Sequence, residues 1–469
     1  MITRATESWR TSQVAQEANA VRKYDQVTTD GHTPPFDFTR TTHPLVPQVP
    51  ARRGKRVPLF IAGGIVLVSL LLIFTSAGLG MMPSLSSLGG NTRVVAHPVP
   101  LAHVVGHIFF GSSGQVQANS SQGITDEIDL DLANIPAPAT GKSYYAWLLN
   151  DDAAEGKALL LGTLAVNRGT VHFHYAGDAT HTNLLALTNR LLITEEAATP
   201  PPDLPSLDSS TWRYAAQIPQ TPNPQDTVHH FSLLSHLRHL LASDPTLEQV
   251  GLPGGLDIWL FRNTQKIFEW AGSARDDWTP AGLGILRRQS IRILDYLDGA
   301  NYVQQDVPPG TPLLVDTHIA RVGLLEFDVQ NQEPPGYLYH IGLHLHGLAT
   351  SPGATTEQKQ LAVQIDIALN QVQALLEQIR QDAKQLVMMT DAQLLQPSTL
   401  SLLDAMVKQA QDMFVGQFDP STGEIANGIT QIHYAIQRLA TLEVTVLPVS
   451  ATTAANPEYI GPTFTAKGA

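Results

Sequence analysis

The longest apolar stretch of the chain runs from Leu59 to Leu79, and no ionisable side chain lies between Arg56 and Arg93. At about 1.5 Å per residue, roughly 20 such residues cross a hydrocarbon core of about 30 Å while satisfying their own backbone hydrogen bonds. The pattern predicts a transmembrane helix over 58–80. A buried core helix would show amphipathic relief, and a cleaved signal peptide would carry a short basic leader where more than fifty residues precede this run. Arg52, Arg53, Lys55 and Arg56 crowd its N-terminal flank, while Arg93 stands alone beyond it. The positive-inside rule then keeps the N-terminus in the cytoplasm and places the rest outside.

Beyond the run the period changes twice. Over residues 101–195 it is two: in "DEIDLDLANI" Ile128, Leu130 and Leu132 share one face, and Asp129 and Asp131 the other. "KSYYAWLLN", "ALLLGTLAVN" and "GTVHFHYAG" follow, separated by turn residues. These short runs predict an antiparallel β-sandwich. Over residues 226–447 the spacing is mostly helical. Leu361, Ile365, Ala368, Val372, Leu375, Ile379, Ala383 and Leu386 form one seam, with Thr355 and Gln358 placed for a capping box. Further apolar stripes before and after it predict an α-helical bundle. Between these blocks, residues 196–225 hold seven prolines and read as an extended linker. Residues 1–57 read as a disordered cytoplasmic tail, 81–100 as a stalk and 448–469 as a loose C-terminal tail. The expected fold class is a single-pass membrane protein with an extracytoplasmic β-sandwich followed by a helical bundle.

Charge sharpens the division. Residues 1–57 hold nine Lys or Arg against five Asp or Glu, a surplus of four; with −13 for the whole chain, the remainder carries −17. An acidic exterior excludes a nucleic-acid surface and leaves cationic ligands open. The chain has no cysteine, which excludes disulfides, thiolate metal sites and Cys nucleophiles.

Within 101–195, "GKSYYAWLLNDD", "LLLGTLAVNRGTVHFHY" and "NLLALTNRLLITEEAATPPPDLP" resemble the extracytoplasmic domain of anti-sigma-K-type factors. Tyr144, Trp147 and Leu148 match that family's "Y-x-x-W-L" strand; Gly162, Leu164, Val166 and Gly169 match its "G-x-L-x-V-x-x-G" hairpin; Thr194 and Glu195 match its late strand. The resemblance covers about a fifth of the chain and implies a regulatory membrane protein with a cytoplasmic sigma factor as partner.

Histidines are the candidates for chemistry. His172 and His174, two apart on a strand, put both rings on one face, with His181 near in sequence. In the helical block His340 and His344 are four apart with His346 nearby, and His236 and His239 are three apart. Either helical pair could clamp a metal or haem from one face. No "C-x-x-C-H", "H-E-x-x-H" or "G-x-S-x-G" accompanies them. "DYLDGANYVQQD" fails the calcium-loop template and reads as a turn that ends a helix.

The expected function is therefore a membrane-anchored extracytoplasmic regulatory or sensory protein, anti-sigma-factor-like, acting by binding and not by catalysis. A passive anchored envelope binding or structural module is the alternative, and a metal- or haem-binding bundle a third. No cofactor is expected. The expected partners are the membrane through one span and an envelope protein or ligand, with the sigma factor added by the resemblance.

Overall fold

The structure, a computed structural model, describes residues 103–115, 120–150, 158–419, 424–426 and 428–447. Eight of its strands form one antiparallel sheet. These are β1 (Val104–Gly111), β2 (Glu127–Ala133), β3 (Lys142–Asn150), β4 (Ala158–Leu164), β5 (Thr170–Tyr175), β6 (Thr188–Ala197), β7 (Trp212–Gln217) and β10 (Thr441–Val446), in the order β4-β3-β6-β7-β10-β1-β2-β5. The end strands β4 and β5 come back toward each other, so the sheet is a nearly closed barrel. Gly162 on β4 makes that approach feasible: a Cβ there would lie 3.1 Å from the Phe173 ring of β5.

Alternation explains the strands. On β2, Ile128, Leu130 and Leu132 are buried while Asp129 and Asp131 are exposed. β3 has no polar face, because both of its faces are covered. Tyr144, Ala146 and Leu148 join the main core, and Tyr145, Trp147 and Leu149 form a smaller cluster with Leu192. There the buried Trp147 indole donates to Thr194 Oγ1 at 3.0 Å.

A single core cluster runs from the barrel interior into the helices. The helices are α1 (Leu184–Leu187), α2 (Leu233–Leu241), α3 (Pro245–Gln249), α4 (Leu256–Asp276), α5 (Leu283–Asp298), α6 (Tyr337–Thr350), α7 (Thr356–Met388), α8 (Asp391–Leu394), α9 (Pro397–Phe414) and α10 (Ile429–Arg438). A small hairpin, β8 (Gln417–Asp419) with β9 (Glu424–Ala426), interrupts them. Thr355 and Gln358 form the expected capping box at the start of α7, and Gln358 also donates to Leu439 O at 2.9 Å, tying α7 to the turn before β10. As expected, the helix α5 ends at the "DYLDG" turn. Gly299 caps it at φ +74, where any Cβ would come within 2.7 Å of Gly323 N.

Two corrections follow. A separate sandwich followed by a bundle gives way to a nearly closed barrel whose core continues into the helices, because β7 comes from the proline-rich stretch and β10 from beyond the helices. A one-residue alternation cannot show which distant strand fills a gap in a sheet. The second correction concerns the single-pass fold class and the cell-membrane localisation. Among the described residues no helix is long and apolar enough to cross a membrane. The longest, α7, has 33 residues but only an apolar stripe, with Lys359, Asp366, Glu377, Arg380 and Lys384 around it. The expected span at 58–80, its flanks 1–57 and 81–100, and the tail 448–469 lie outside the described residues.

Candidate metal centre

The sequence between Phe231 and Leu247 builds half of a polar cluster inside the helical layer. Ser232 starts α2 with a capping box to Ser235, and the leucine stripe Leu233, Leu237, Leu240 and Leu241 buries one face of the helix. That orientation carries His236 and His239 inward. Five residues after His239 the chain reaches Asp244, which caps α3 with Pro245 at the first helical position. Its Oδ1 accepts from Thr246 N at 3.0 Å, Leu247 N at 3.1 Å and the Thr246 hydroxyl at 2.6 Å. Oδ1 being held this way, Oδ2 turns the other way.

The other half comes from α6, which Gly336 caps after two prolines. Its buried stripe of Tyr337, Ile341, Leu345 and Leu348 also contains His340 and His344, one turn apart on the same face. The "YLYHIGLHLH" run alternates equally well as a strand, but packing settles it as a helix.

The two halves meet at Asp244 Oδ2. His239 Nδ1, His340 Nε2 and His344 Nε2 each lie 3.7 Å from it. His344 Nε2 is 3.2 Å from His340 Nε2 and 3.4 Å from His239 Nδ1. The donor atoms of His239, Asp244 and His344 all fall within 4.8 Å of one another. A tetrahedral ion with bonds of about 2.0 to 2.1 Å keeps its donors roughly 3.4 Å apart, so small adjustments bring this set to ligand geometry. Behind it, His344 Nδ1 lies 2.9 Å from His236 Nδ1. With an ion on Nε2, the Nδ1–H of His344 donates to His236, the outer contact that orients metal-bound imidazoles. Gly347 makes space for this second ring, since a Cβ there would stand 2.2 Å from His236 Cε1. Phe231 covers the cluster, its ring centroid 4.8 Å from that of His239 and 5.8 Å from that of His344.

Burial decides the charge state. It pushes His344 down to about 3 and His236 to about 4, helped by neighbouring imidazoles. His239 and His340 are lowered as well, burial outweighing the attraction of Asp244. Burial works against the Asp244 carboxylate too. The nearby His344, His340 and His239 imidazoles and the Thr246 hydroxyl outweigh it and hold Asp244 below the usual carboxylate range. At neutral pH the cluster is thus three neutral imidazoles around one ionised carboxylate whose side chain is 1 % exposed. His340 Nδ1 is also buried without a hydrogen-bond partner. A buried carboxylate surrounded by neutral groups is costly even with one oxygen hydrogen-bonded, and a cation held by the lone pairs would offset that cost.

The remaining histidines lie elsewhere. His172 and His174 share the outer face of β5, as expected, but each pairs with one aspartate of β2: His172 Nδ1 with Asp131 Oδ1 at 2.6 Å and His174 Nδ1 with Asp129 Oδ1 at 2.8 Å. His181 turns to the buried Asp126, at 2.9 Å. His346 is exposed, away from the His340 and His344 rings. A further buried pair joins His433 Nδ1 to Asp257 Oδ2 at 2.7 Å; a single imidazole there offers no ligand set. Asp244 escaped the sequence reading, although the "SDPT" sequence marks it as a helix cap five residues after His239.

Comparison of the chain with protein-family models, with curated proteins and with solved structures gave no match, and so adds nothing to the resemblance seen in residues 101–195.

Proposed function

We propose that this protein binds one divalent first-row transition metal ion, with Zn2+ foremost, through His239, Asp244, His340 and His344. One observation carries the reading: a buried carboxylate oxygen faces three neutral imidazole nitrogens at 3.7 Å each. Imidazole with one carboxylate suits zinc and its neighbours, and the lack of cysteine removes the thiolate competition that favours softer ions. His239, Asp244 and His344 converge within 4.8 Å of one another, and His340, 3.7 Å from Asp244, would add the fourth donor of a tetrahedral shell. This is the pattern of an ion that is held and not one that turns over substrate, so the protein acts by binding. The ion ties α2 and α3 to α6, whose His344 stands 105 residues beyond His239 in sequence.

Metal analysis of the full chain after Zn2+ loading and gel filtration tests this. One ion per chain is expected, and none in a variant carrying both H239Q and H344Q. Absence of a stoichiometric ion, or its retention in the double variant, overturns the reading.

A further inference from the structure

The four donors of the metal centre differ in how far water reaches them. Side-chain exposure is 12 % for His239, 9 % for His340, 5 % for His344 and 1 % for Asp244, so an arriving ion meets His239 first. His239 also lines an open cleft of about 440 Å³, formed by the start of α2, the segment before it and the end of α1. Phe231 lines the same cleft, and its ring lies against the imidazoles, with centroids 4.8 Å from His239, 5.5 Å from His236 and 5.8 Å from His344. A ring that borders both the cleft and the donors obstructs passage between them. Its backbone is fixed. The Asp226 carboxylate accepts from His229 N and Phe231 N at 2.9 Å each, Phe231 O accepts from Asn223 N at 2.9 Å, and Asn223 Nδ2 donates to Thr350 Oγ1 of α6 at 3.2 Å. The Phe231 side chain is half-buried, so a change of rotamer opens the path without unfolding the turn. Arg238 in the cleft wall is engaged, its Nε donating to Leu185 O at 2.9 Å, while the Ser243 hydroxyl donates to Glu248 and so brings a carboxylate to the rim. The ionised Asp244 then draws a cation inward.

We propose that this cleft is the route by which the metal ion reaches and leaves its centre, and that the Phe231 ring is the gate on that route. The proposal rests on the metal reading above and adds the entry path that a buried site requires. A gate stands on the path and not among the donors. It therefore changes loading and release by the same factor and leaves affinity where it was.

Stopped-flow mixing of the metal-free full chain with Zn2+, and of the loaded chain with a chromophoric chelator, tests this. In F231A both loading and release should quicken about tenfold, with zinc still at one per chain and affinity within about threefold of the parent. In A186W, which fills the cleft from an exposed position of its lining, both should slow about tenfold on the same terms. L187W, exposed beside it but outside the lining, should leave both rates unchanged. Faster release without faster loading in F231A marks a loosened site and overturns the gate. Unchanged rates in A186W, or equal slowing in L187W, overturn the route. A chain that takes up no zinc overturns the metal reading and the gate with it, whereas one zinc per chain with unaltered rates in both F231A and A186W overturns the gate and its route alone.

Discussion

The molecule holds the same two chemical groups in two settings. On the outer face of the barrel, His172 meets Asp131 at 2.6 Å, with side chains 74 % and 70 % exposed. In the helical layer Asp244, 1 % exposed, meets three imidazoles at the longer distance of 3.7 Å. The closer pair is the weaker site. Water solvates both of its members, and one histidine faces one aspartate, so nothing converges there. In the buried cluster the separation is that of donors arranged around a common centre, and desolvation keeps the imidazoles neutral with their lone pairs available. Short distances therefore mark ion pairs; convergence and burial mark a ligand set.

Acid should separate the two settings most strongly. A histidine whose folded value is depressed contributes stability that is present above its unfolded value near 6.5 and is lost as pH falls below it. His236, held at about 4, should cost the metal-free protein about 3 kcal/mol by pH 4, and His344, at about 3, a comparable share. Thermal melts of the metal-free chain from pH 7 to pH 4 should fall steeply, and the slope should flatten in H236Q and H344Q. A flat profile would show that these rings are solvated like those on the barrel.

Removing the central charge comes next. D244N keeps an N-capping side chain but loses the carboxylate, and Zn2+ affinity should drop by more than about a hundredfold, measured by competition with a chromophoric chelator. D131N, its counterpart on the barrel, should leave zinc affinity unchanged. Equal effects would erase the distinction between the settings.

The outer contact should matter less. H236L removes the partner of His344 Nδ1, and G347A drives a methyl into the His236 ring; each should lower zinc affinity about 10- to 100-fold. Two-dimensional nitrogen–proton spectra should also show the His344 tautomer change in H236L, which a general loosening of the helix would not produce. The smallest effect belongs to H172Q and H174Q. Stability should move by less than about 0.5 kcal/mol and bound zinc not at all.

Local physics was legible along the chain. The period-two run of β2, the capping box of α7, the end of α5 at Gly299 and the shared face of His340 and His344 each depend on a few neighbouring residues, and all appear where the pattern puts them. Three of the four proposed donors were visible in the same way, within two histidine pairs on helical spacing. Asp244 was not: its cap sequence announces a helix start, and nothing local announces that its second oxygen faces α6. The closure of the barrel by β7 and β10 was hidden for the same reason, since a strand's own alternation shows which face it buries and not which distant strand it joins. Sequence by itself determined most local elements, the faces they bury and the cysteine-free, histidine-based chemistry available. Only tertiary structure decided that residues 239, 244, 340 and 344 converge, because burial and convergence depend on contacts between segments that local spacing does not encode.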